Sequence, residues 1–175
     1  MDVFWRHGFE AASVTQIARA AGASRGALYA LHGDKLGLFA AAIDAYAAWT
    51  RAAVEAVLAE GLAPRAAARA LLSVSVRRLA DPDAPDGCLR CRATLENGGL
   101  DSRVDRAIAE ANAGYRAGMV RLLSEGPLGL SPGEAAREAD HLTAVLNGIV
   151  VLAEAGAAEE TLSGIVDTAT AGLPT

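Results

Sequence analysis

Apolar residues recur at intervals of three and four along most of this chain, which is the period of a helix with one buried face. The longest such run begins at Lys35 and continues to Val57, with Gly61 just beyond it. Another occupies the end of the chain, from Leu162 to Leu173. Glycine, proline and N-capping residues separate the runs, and these residue types start and stop helices. The pattern therefore predicts an all-α protein of about nine helices.

Helix-starting and helix-ending residues set the predicted bounds. The sequence from Ser13 to Gln16 is that of a capping box, Ser24 is a second N-cap, and Pro64 suits the first position of a helix. The helix that begins near residue 88 is expected to end at the glycine pair 98–99. The predicted helices cover approximately residues 1–7, 14–21, 25–31, 35–61, 64–80, 88–97, 102–124, 132–155 and a last segment after 156.

Composition supports helices and limits the class of protein. The 175 residues include 41 alanines, the best helix former, and comparatively few of the aromatic residues that strands favour. No uncharged apolar stretch reaches the roughly 18 residues of a membrane span, and the N-terminus lacks the basic-then-apolar order of a signal peptide. Two cysteines without an export signal suit a reducing compartment. These features predict a cytoplasmic protein with no membrane association.

The net charge of −5 becomes informative when it is divided along the chain. Residues 1–36 carry a net charge of +1, whereas the remainder carries −6. An acidic surface repels the phosphates of nucleic acid, so this distribution leaves DNA binding open at the N-terminal end only.

Two short predicted helices joined at Gly22 form a unit of about twenty residues, which is the size of a helix-turn-helix. Gly22 can supply the positive φ that such a sharp turn needs, and the small side chain of Ala18 lets the second helix cross close to the first. The side chains expected to be buried at this crossing are Ile17, Ala23 and Leu28. The outward face near the start of the second helix comprises Arg25, Gly26 and Ala27. In a helix-turn-helix, that end of the second helix meets base edges in the major groove.

The residues at fixed offsets in this region resemble the DNA-binding head of the TetR family of transcriptional regulators, over about residues 4–40. The positions that carry the resemblance are Gly8-Phe9, Ser13-Val14, Ile17-Ala18, Ala21-Gly22, Ser24, Gly26, Leu28-Tyr29 and Asp34-Lys35. The resemblance implies a three-helix helix-turn-helix head at residues 1–40 and a helical ligand-binding and dimerisation domain at residues 41–175. It also implies a repressor that binds a palindromic DNA operator as a homodimer and is released by a small-molecule effector.

The resemblance assigns DNA contacts to eight residues: Ser13, Thr15, Ser24, Arg25, Gly26, Ala27, Tyr29 and Lys35. Arg25, with its two neighbours, would face bases, where its guanidinium can bind guanine O6 and N7. Ser13, Thr15 and the Tyr29 hydroxyl would contact phosphates. Lys35, the only lysine in the chain, would bind another phosphate at a helix N-terminus.

Dimerisation is expected through the last two helices, whose apolar stripes contain small residues suited to close packing against a symmetry mate. These small residues are Ala144, Gly148 and Ala169. An alternative function is a helical ligand-binding or protein-interaction module. Its DNA binding would be impaired because the basic N-terminal arm of the family is missing from this sequence.

The pair Cys88 and Cys91 leaves two interpretations open. A structural zinc site needs four ligands, and no second CxxC or clustered histidine pair accompanies this one. A thioredoxin-type motif would follow a strand, and none is predicted. Packing of two small thiols in the core is the simpler interpretation. Redox sensing is the other, because Arg90 and Arg92 flank the thiols and can lower their pKa values.

Catalysis finds no support among the motifs of this chain. There is no glycine-rich phosphate loop, no HExxH and no GxSxG, so the protein is not expected to be an enzyme or to need a metal or cofactor. Trp5, Tyr46 and Trp49 lie at core spacing, although the last two could line a cavity. The arginines of the middle helices are expected to form a solvated face. The candidates for contact with the unidentified effector are Trp49, Cys88, Cys91 and Arg116.

Overall fold

The computed structural model describes residues 1–97 and 99–175, and the described residues form nine α-helices and no strand. The helices are α1 (Asp2–Ala11), α2 (Val14–Ala20), α3 (Arg25–His32), α4 (Lys35–Ala59), α5 (Pro64–Ala80), α6 (Leu89–Asn97), α7 (Ser102–Ser124), α8 (Pro132–Glu154) and α9 (Glu159–Thr170). The predicted all-α class is therefore confirmed. The glycine pair expected to end α6 is only half described, because Gly98 lies outside the described residues.

The helix ends follow the capping residues of the sequence. Ser13 and Gln16 form the predicted capping box, in which the Ser13 hydroxyl accepts from the Gln16 amide and the Gln16 side chain accepts from the Ser13 amide. Within α1, Gly8 has φ 72 and interrupts the helical conformation, as expected for a residue that ends a helix. Pro64 occupies the start of α5. The final helix stops at Thr170, three residues before the end of the predicted apolar stripe.

The described chain divides into two compact units, which we call the head unit (residues 1–49 and 88–113) and the body unit (residues 50–87 and 114–175). The division falls within two continuous helices, α4 and α7. The sequence-based boundary at residue 40 separates expected functions rather than packing units, and it stays a prediction.

The head unit is built around aromatic side chains. The rings of Phe4, Phe9 and Phe39 are buried, and the Phe39 centroid lies 5.0 Å from that of Phe4 and 5.2 Å from that of Phe9. Trp5 packs edge-on against Tyr46, with centroids 4.7 Å apart. Because Phe4, Trp5 and Phe9 belong to α1 and the other two rings to α4, these contacts fix α1 against α4.

The core of the body unit is mainly aliphatic. α9 packs against α5 and α8, and α5 also contacts α8. The fully buried side chains include Leu72, Met119, Leu142, Ile149 and Leu162. Among the described residues, no helix combines the length and the apolar character that crossing a membrane requires.

Two of the arginines of α5 are less solvated than expected. Arg65 is half-buried and donates to the carbonyl oxygens of Leu173 and Ala171, which fixes the end of the chain against α5. Arg78 is also half-buried and donates to the Gly87 carbonyl oxygen at 2.5 Å. The prediction of a solvated face is wrong for these two, because the C-terminal residues bring backbone acceptors to Arg65 and the loop after α5 brings them to Arg78.

Candidate nucleic-acid interface

The turn between α2 and α3 has the geometry that the sequence predicts. Gly22 adopts φ 61, and the Ala23 amide donates to the Ala18 carbonyl oxygen at 3.0 Å. Ile17 of α2 and Leu28 of α3 are buried, as predicted, whereas Ala23, which was expected to be buried, is half-buried. A residue with a side chain would be strained at this φ, so glycine is required at position 22.

The N-terminal end of α3 presents an exposed surface. Arg25, Gly26 and Ala27 are all exposed, and Leu28 is the buried residue that fixes the helix to its unit. A Cβ added at Gly26 would meet only the Ser24 hydroxyl, at 3.9 Å. The fold of the head unit therefore does not require glycine at position 26. The first amides of a helix carry partial positive charge, which favours an anion at this end.

The two serines assigned to DNA are also capping residues. The Ser24 hydroxyl accepts from the Ala27 amide at 3.1 Å, which leaves its own proton available to a further acceptor. The Ser13 hydroxyl accepts from the Gln16 amide and donates to the Gln16 side-chain oxygen at 2.8 Å. Both serines are exposed, as is Thr15. The structure thus fixes the hydroxyls of Ser13 and Ser24 at the starts of α2 and α3.

Tyr29 and Lys35 differ in how firmly the structure holds them. Tyr29 is exposed on α3. The Lys35 ammonium donates to the Glu10 carbonyl oxygen at 3.1 Å and lies 4.6 Å from the centre of the Phe9 ring. A cation over an aromatic face gains electrostatic stabilisation, and an ammonium has three protons to donate. Lys35 therefore helps to attach α4 to α1 and keeps donors for a second acceptor.

Sequence reasoning missed an ion-pair cluster next to Lys35. The Arg103 guanidinium of α7 binds the carboxylates of Asp34 and Asp101, with a shortest distance of 3.0 Å to each. The hydrogen bonds from Arg103 lower the pKa of Asp101 to about 2. The pKa of Asp34 is lowered as well, first by the hydrogen bond from Arg103 and then by that from the Gly37 amide. Asp34 and Arg103 are 69 residues apart in the chain, so no local pattern indicates their contact.

The candidates for effector contact fall in both units. Trp49, Cys88 and Cys91 belong to the head unit, whereas Arg116 belongs to the body unit. Trp49 is 43% exposed, with its ring centroid 5.6 Å from that of Tyr46, so it is not the core residue that its spacing predicts. Arg116 binds both carboxylate oxygens of Asp140, at 2.5 and 2.9 Å.

The body unit also contains an open groove of about 560 Å³. Its lining includes several arginines of α5 and apolar residues of α4 and α5, but none of the four effector candidates. The lining arginines are Arg65, Arg69 and Arg77. Arg69 is held by Asp167, at 2.5 Å.

Comparison with known proteins identifies the region that carries the helix-turn-helix. Residues 1–42 match the model of the family described as bacterial regulatory proteins, tetR family. The HTH-type transcriptional repressor ComR of Escherichia coli (strain K12) is 46% identical over 46 residues, which cover 26% of this chain and 22% of ComR. The chain thus matches about a fifth of the length of that curated relative.

Solved structures extend the similarity to the whole chain. A complex of a cysteine mutant of the TetR-family regulator CifR with 26-bp operator DNA is 26% identical, with a TM-score of 0.81, and the match covers 99% of this chain and 92% of that one. A TetR regulator from Legionella pneumophila is 14% identical with a TM-score of 0.83, covering 98% and 91%, and supports the fold alone. The Gly22 turn and the exposed N-terminus of α3 thus lie within the segment that matches the tetR family model, and the whole chain has the fold of TetR-family regulators of known structure.

Proposed function

We propose that this protein represses transcription by binding a palindromic operator as a homodimer, and that a small-molecule effector releases it. The observation that carries the proposal is the exposed surface at the start of α3, where Arg25, Gly26 and Ala27 project from a helix that Leu28 anchors. A surface of this kind has no packing role within its unit. It matches the part of a helix-turn-helix that enters the major groove.

The proposed contacts divide into two groups. Arg25, Gly26 and Ala27 face bases, and the Arg25 guanidinium has the fork geometry that fits guanine O6 and N7. The second group positions the head on phosphates and comprises Ser13, Thr15, Ser24, Tyr29 and Lys35. Phosphate contacts set affinity and register, whereas base contacts set sequence preference.

Dimerisation is proposed because one recognition helix reads too few bases to be specific. Two heads spaced about one turn of DNA, ~34–36 Å, would read both halves of a palindrome. The outer surface of α8 supports a self-complementary interface, since Ala144 and Gly148 are exposed and Val151 is 60% exposed. Ala169 of α9, the third small residue predicted to lie in the interface, is half-buried. Small residues next to exposed apolar ones permit close helix packing.

The relatives support the finer parts of the proposal. A cysteine mutant of CifR is described in complex with 26-bp operator DNA, and ComR is named a repressor. A role on DNA accords with the cytoplasmic location and the absence of enzymatic activity that the sequence predicts. An effector would act only through unequal affinity for the DNA-bound and released states. Trp49, Cys88, Cys91 and Arg116 remain the proposed candidates for contact with it.

The test is binding of the purified protein to labelled DNA that flanks its own gene, measured by fluorescence anisotropy at several salt concentrations. We expect saturable, salt-dependent binding to one palindromic segment, with two protein chains per DNA, and weaker binding to a scrambled duplex of equal length. Light scattering should give the mass of a dimer. Equal affinity for both duplexes would reject the regulator and favour a helical ligand-binding or protein-interaction module.

A further inference from the structure

A pair of thiols lies at the start of α6, in the head unit. Cys88 is 6% exposed and immediately precedes the helix, where its carbonyl oxygen accepts from the Arg92 amide at 2.9 Å. Cys91 follows one turn later and is half-buried, and both cysteines are free. The Tyr46 hydroxyl donates to the Cys88 sulfur at 3.2 Å. The Cys88 sulfur thus accepts a hydrogen bond, and a second thiol lies one helical turn along the chain.

The surroundings favour the thiolate of Cys88. The hydrogen bond from Cys91 is the largest influence, and the positive charge of Arg90 and the Tyr46 hydroxyl act in the same direction. Together they outweigh burial and lower the pKa of Cys88 to about 5. Arg90 is itself only 5% exposed and donates to the Asn112 side-chain oxygen at 2.7 Å. A charge buried in this way acts strongly on its neighbours because little water screens it.

We propose that Cys88 and Cys91 form a redox site that is oxidised by small hydroperoxides to an intramolecular disulfide. The Cys88 thiolate attacks the terminal peroxide oxygen, the O–O bond breaks, and the alkoxide or hydroxide leaving group takes a proton to give an alcohol or water. Cys88 is then a sulfenic acid. The Cys91 sulfur attacks the Cys88 sulfur, loses its proton, and expels the hydroxyl group as water. The two sulfurs lose two electrons, and the peroxide gains them.

The spacing of the cysteines suits this bond. Residues three apart in a helix are neighbours, with Cβ atoms about 5–6 Å apart, whereas a disulfide requires about 3.5–4.5 Å. Closing the disulfide therefore tightens the first turn of α6. Cys88 stands at the first residue of this turn, outside the helix proper, which makes that adjustment local.

The redox site has direct contacts with α1. Tyr46, which donates to Cys88, packs edge-on against Trp5, and the Arg92 guanidinium of α6 donates to the Trp5 carbonyl oxygen at 3.0 Å. A disulfide sulfur is a weak acceptor, so oxidation weakens the bond from the Tyr46 hydroxyl. Oxidation should therefore displace Tyr46 and Trp5 and, given the proposed function, change the affinity of the head for its operator.

The chemistry is tested without DNA. The reduced full-length protein is treated with one equivalent of hydrogen peroxide and analysed by intact mass, thiol titration after denaturation, and non-reducing electrophoresis. We expect loss of both thiols and of the mass of two hydrogen atoms, with no crosslinked species, and recovery with dithiothreitol. Cys91→Ser should stop at a sulfenic acid that dimedone traps, and Cys88→Ser should react at least about tenfold more slowly. Retention of both thiols, or a disulfide only between chains, would overturn the proposal.

The pH dependence separates an activated thiol from an ordinary one. Oxidation of Cys88 should proceed at a nearly constant rate between pH 6.5 and 8.5, whereas an ordinary thiol speeds up about tenfold per pH unit until its pKa near 8.5. Tyr46→Phe keeps the ring and removes the donor, so it should shift this profile to higher pH while leaving the fold intact. An ordinary profile in the wild type would argue against the site.

Tryptophan fluorescence tests the connection to α1, because Trp5 and Trp49 are the only tryptophans of the chain and both contact Tyr46. Oxidation should shift the emission of the wild type but not that of Cys91→Ser. A disulfide that leaves the emission unchanged would refute the connection. Operator binding is measured separately on reduced protein, so failure of the reduced protein to bind would count against the proposed function and not against the redox site.

Discussion

At the scale of single residues, the two cations that we propose to contact DNA differ in how the head unit holds them. Arg25 is exposed at the first position of α3, where its guanidinium is accessible to a base edge. The Lys35 ammonium contacts the Phe9 ring and donates to the Glu10 carbonyl oxygen, so its position is set in the absence of DNA. A guanidinium that forms two hydrogen bonds with one base edge discriminates between sequences. A fixed point charge binds any phosphate.

We therefore expect Arg25→Ala and Lys35→Ala to fail in different ways. Arg25→Ala should reduce the preference for operator over scrambled DNA by about tenfold or more, since a bidentate base contact discriminates by about 1–3 kcal/mol. Lys35→Ala should weaken binding to both duplexes alike and reduce the salt slope by about one per subunit. Anisotropy titrations at several salt concentrations measure both effects. The control is Arg51→Ala, which removes an exposed cation of the body unit, and equal loss of discrimination in both head variants would contradict the division.

Two glycines of the head unit provide a second residue-scale prediction. A Cβ at Gly37 would overlap the carbonyl oxygen of His32, whereas a Cβ at Gly26 has open space. Gly37→Ala should therefore lower the free energy of unfolding by about 1–3 kcal/mol, because backbone must move to make room. Gly26→Ala should leave stability unchanged or raise it by about 0.5–1 kcal/mol and should weaken operator binding instead. Denaturant titrations and anisotropy distinguish the two; a stable Gly37→Ala protein would show that this contact is not a constraint.

At the scale of helices, most of the fold was predictable because caps and turn glycines act over a few residues. The bounds of α5 and α7, the capping box at Ser13 and the positive φ of Gly22 all follow from local sequence. The exposed face of α3 follows from the same spacing. What joins one helix to another was not predictable, since Tyr46 and Cys88 are 42 residues apart and nothing in either segment marks the other.

The ion-pair cluster of Arg103 is such a connection, and it makes a pH-dependent contribution to stability. The pKa values of Asp34 and Asp101 are lower in the folded state than their ordinary value of 3.8. The stabilisation is therefore complete above that value and is lost as pH falls towards the folded pKa, which is about 2 for Asp101. Arg103→Gln removes the charge that causes these shifts. We expect its unfolding midpoint to lie below that of the wild type near pH 6.

The difference between these two midpoints should shrink as pH is lowered from 5 to 2, because protonated carboxyl groups no longer bind Arg103 as anions. Thermal unfolding followed by circular dichroism at a series of pH values measures this difference. The control is Arg116→Gln, which makes the same substitution in an ion pair of the body unit by removing the partner of Asp140. A difference that stays constant from pH 6 to 2 would mean that Arg103 stabilises the head unit by packing rather than by charge.

At the scale of the whole molecule, the proposed function requires two chains to act together. A single exposed α3 would present three residues to bases under the proposed function, and a monomer binding half of a palindrome gains nothing from the other half. Linking two such heads makes the second binding event intramolecular and raises the overall affinity by about 10²–10⁴-fold without any new contact to DNA. The interface on α8 and α9 would therefore determine operator affinity even though it contacts no nucleotide.

Leu152→Glu tests this dependence at an exposed apolar residue of α8. Two such carboxylates facing each other across a twofold axis would repel and lose water, so the variant should be monomeric by light scattering at micromolar concentration. Its affinity for the full palindrome should fall by about 100-fold, while its weak affinity for a single half-site stays at the wild-type value, because α3 is unchanged. Ala109→Glu adds the same charge at an exposed position of α7 and should alter neither property. If a monomeric Leu152→Glu variant kept full operator affinity, each head would be sufficient by itself, and the reason for proposing a palindrome would be lost.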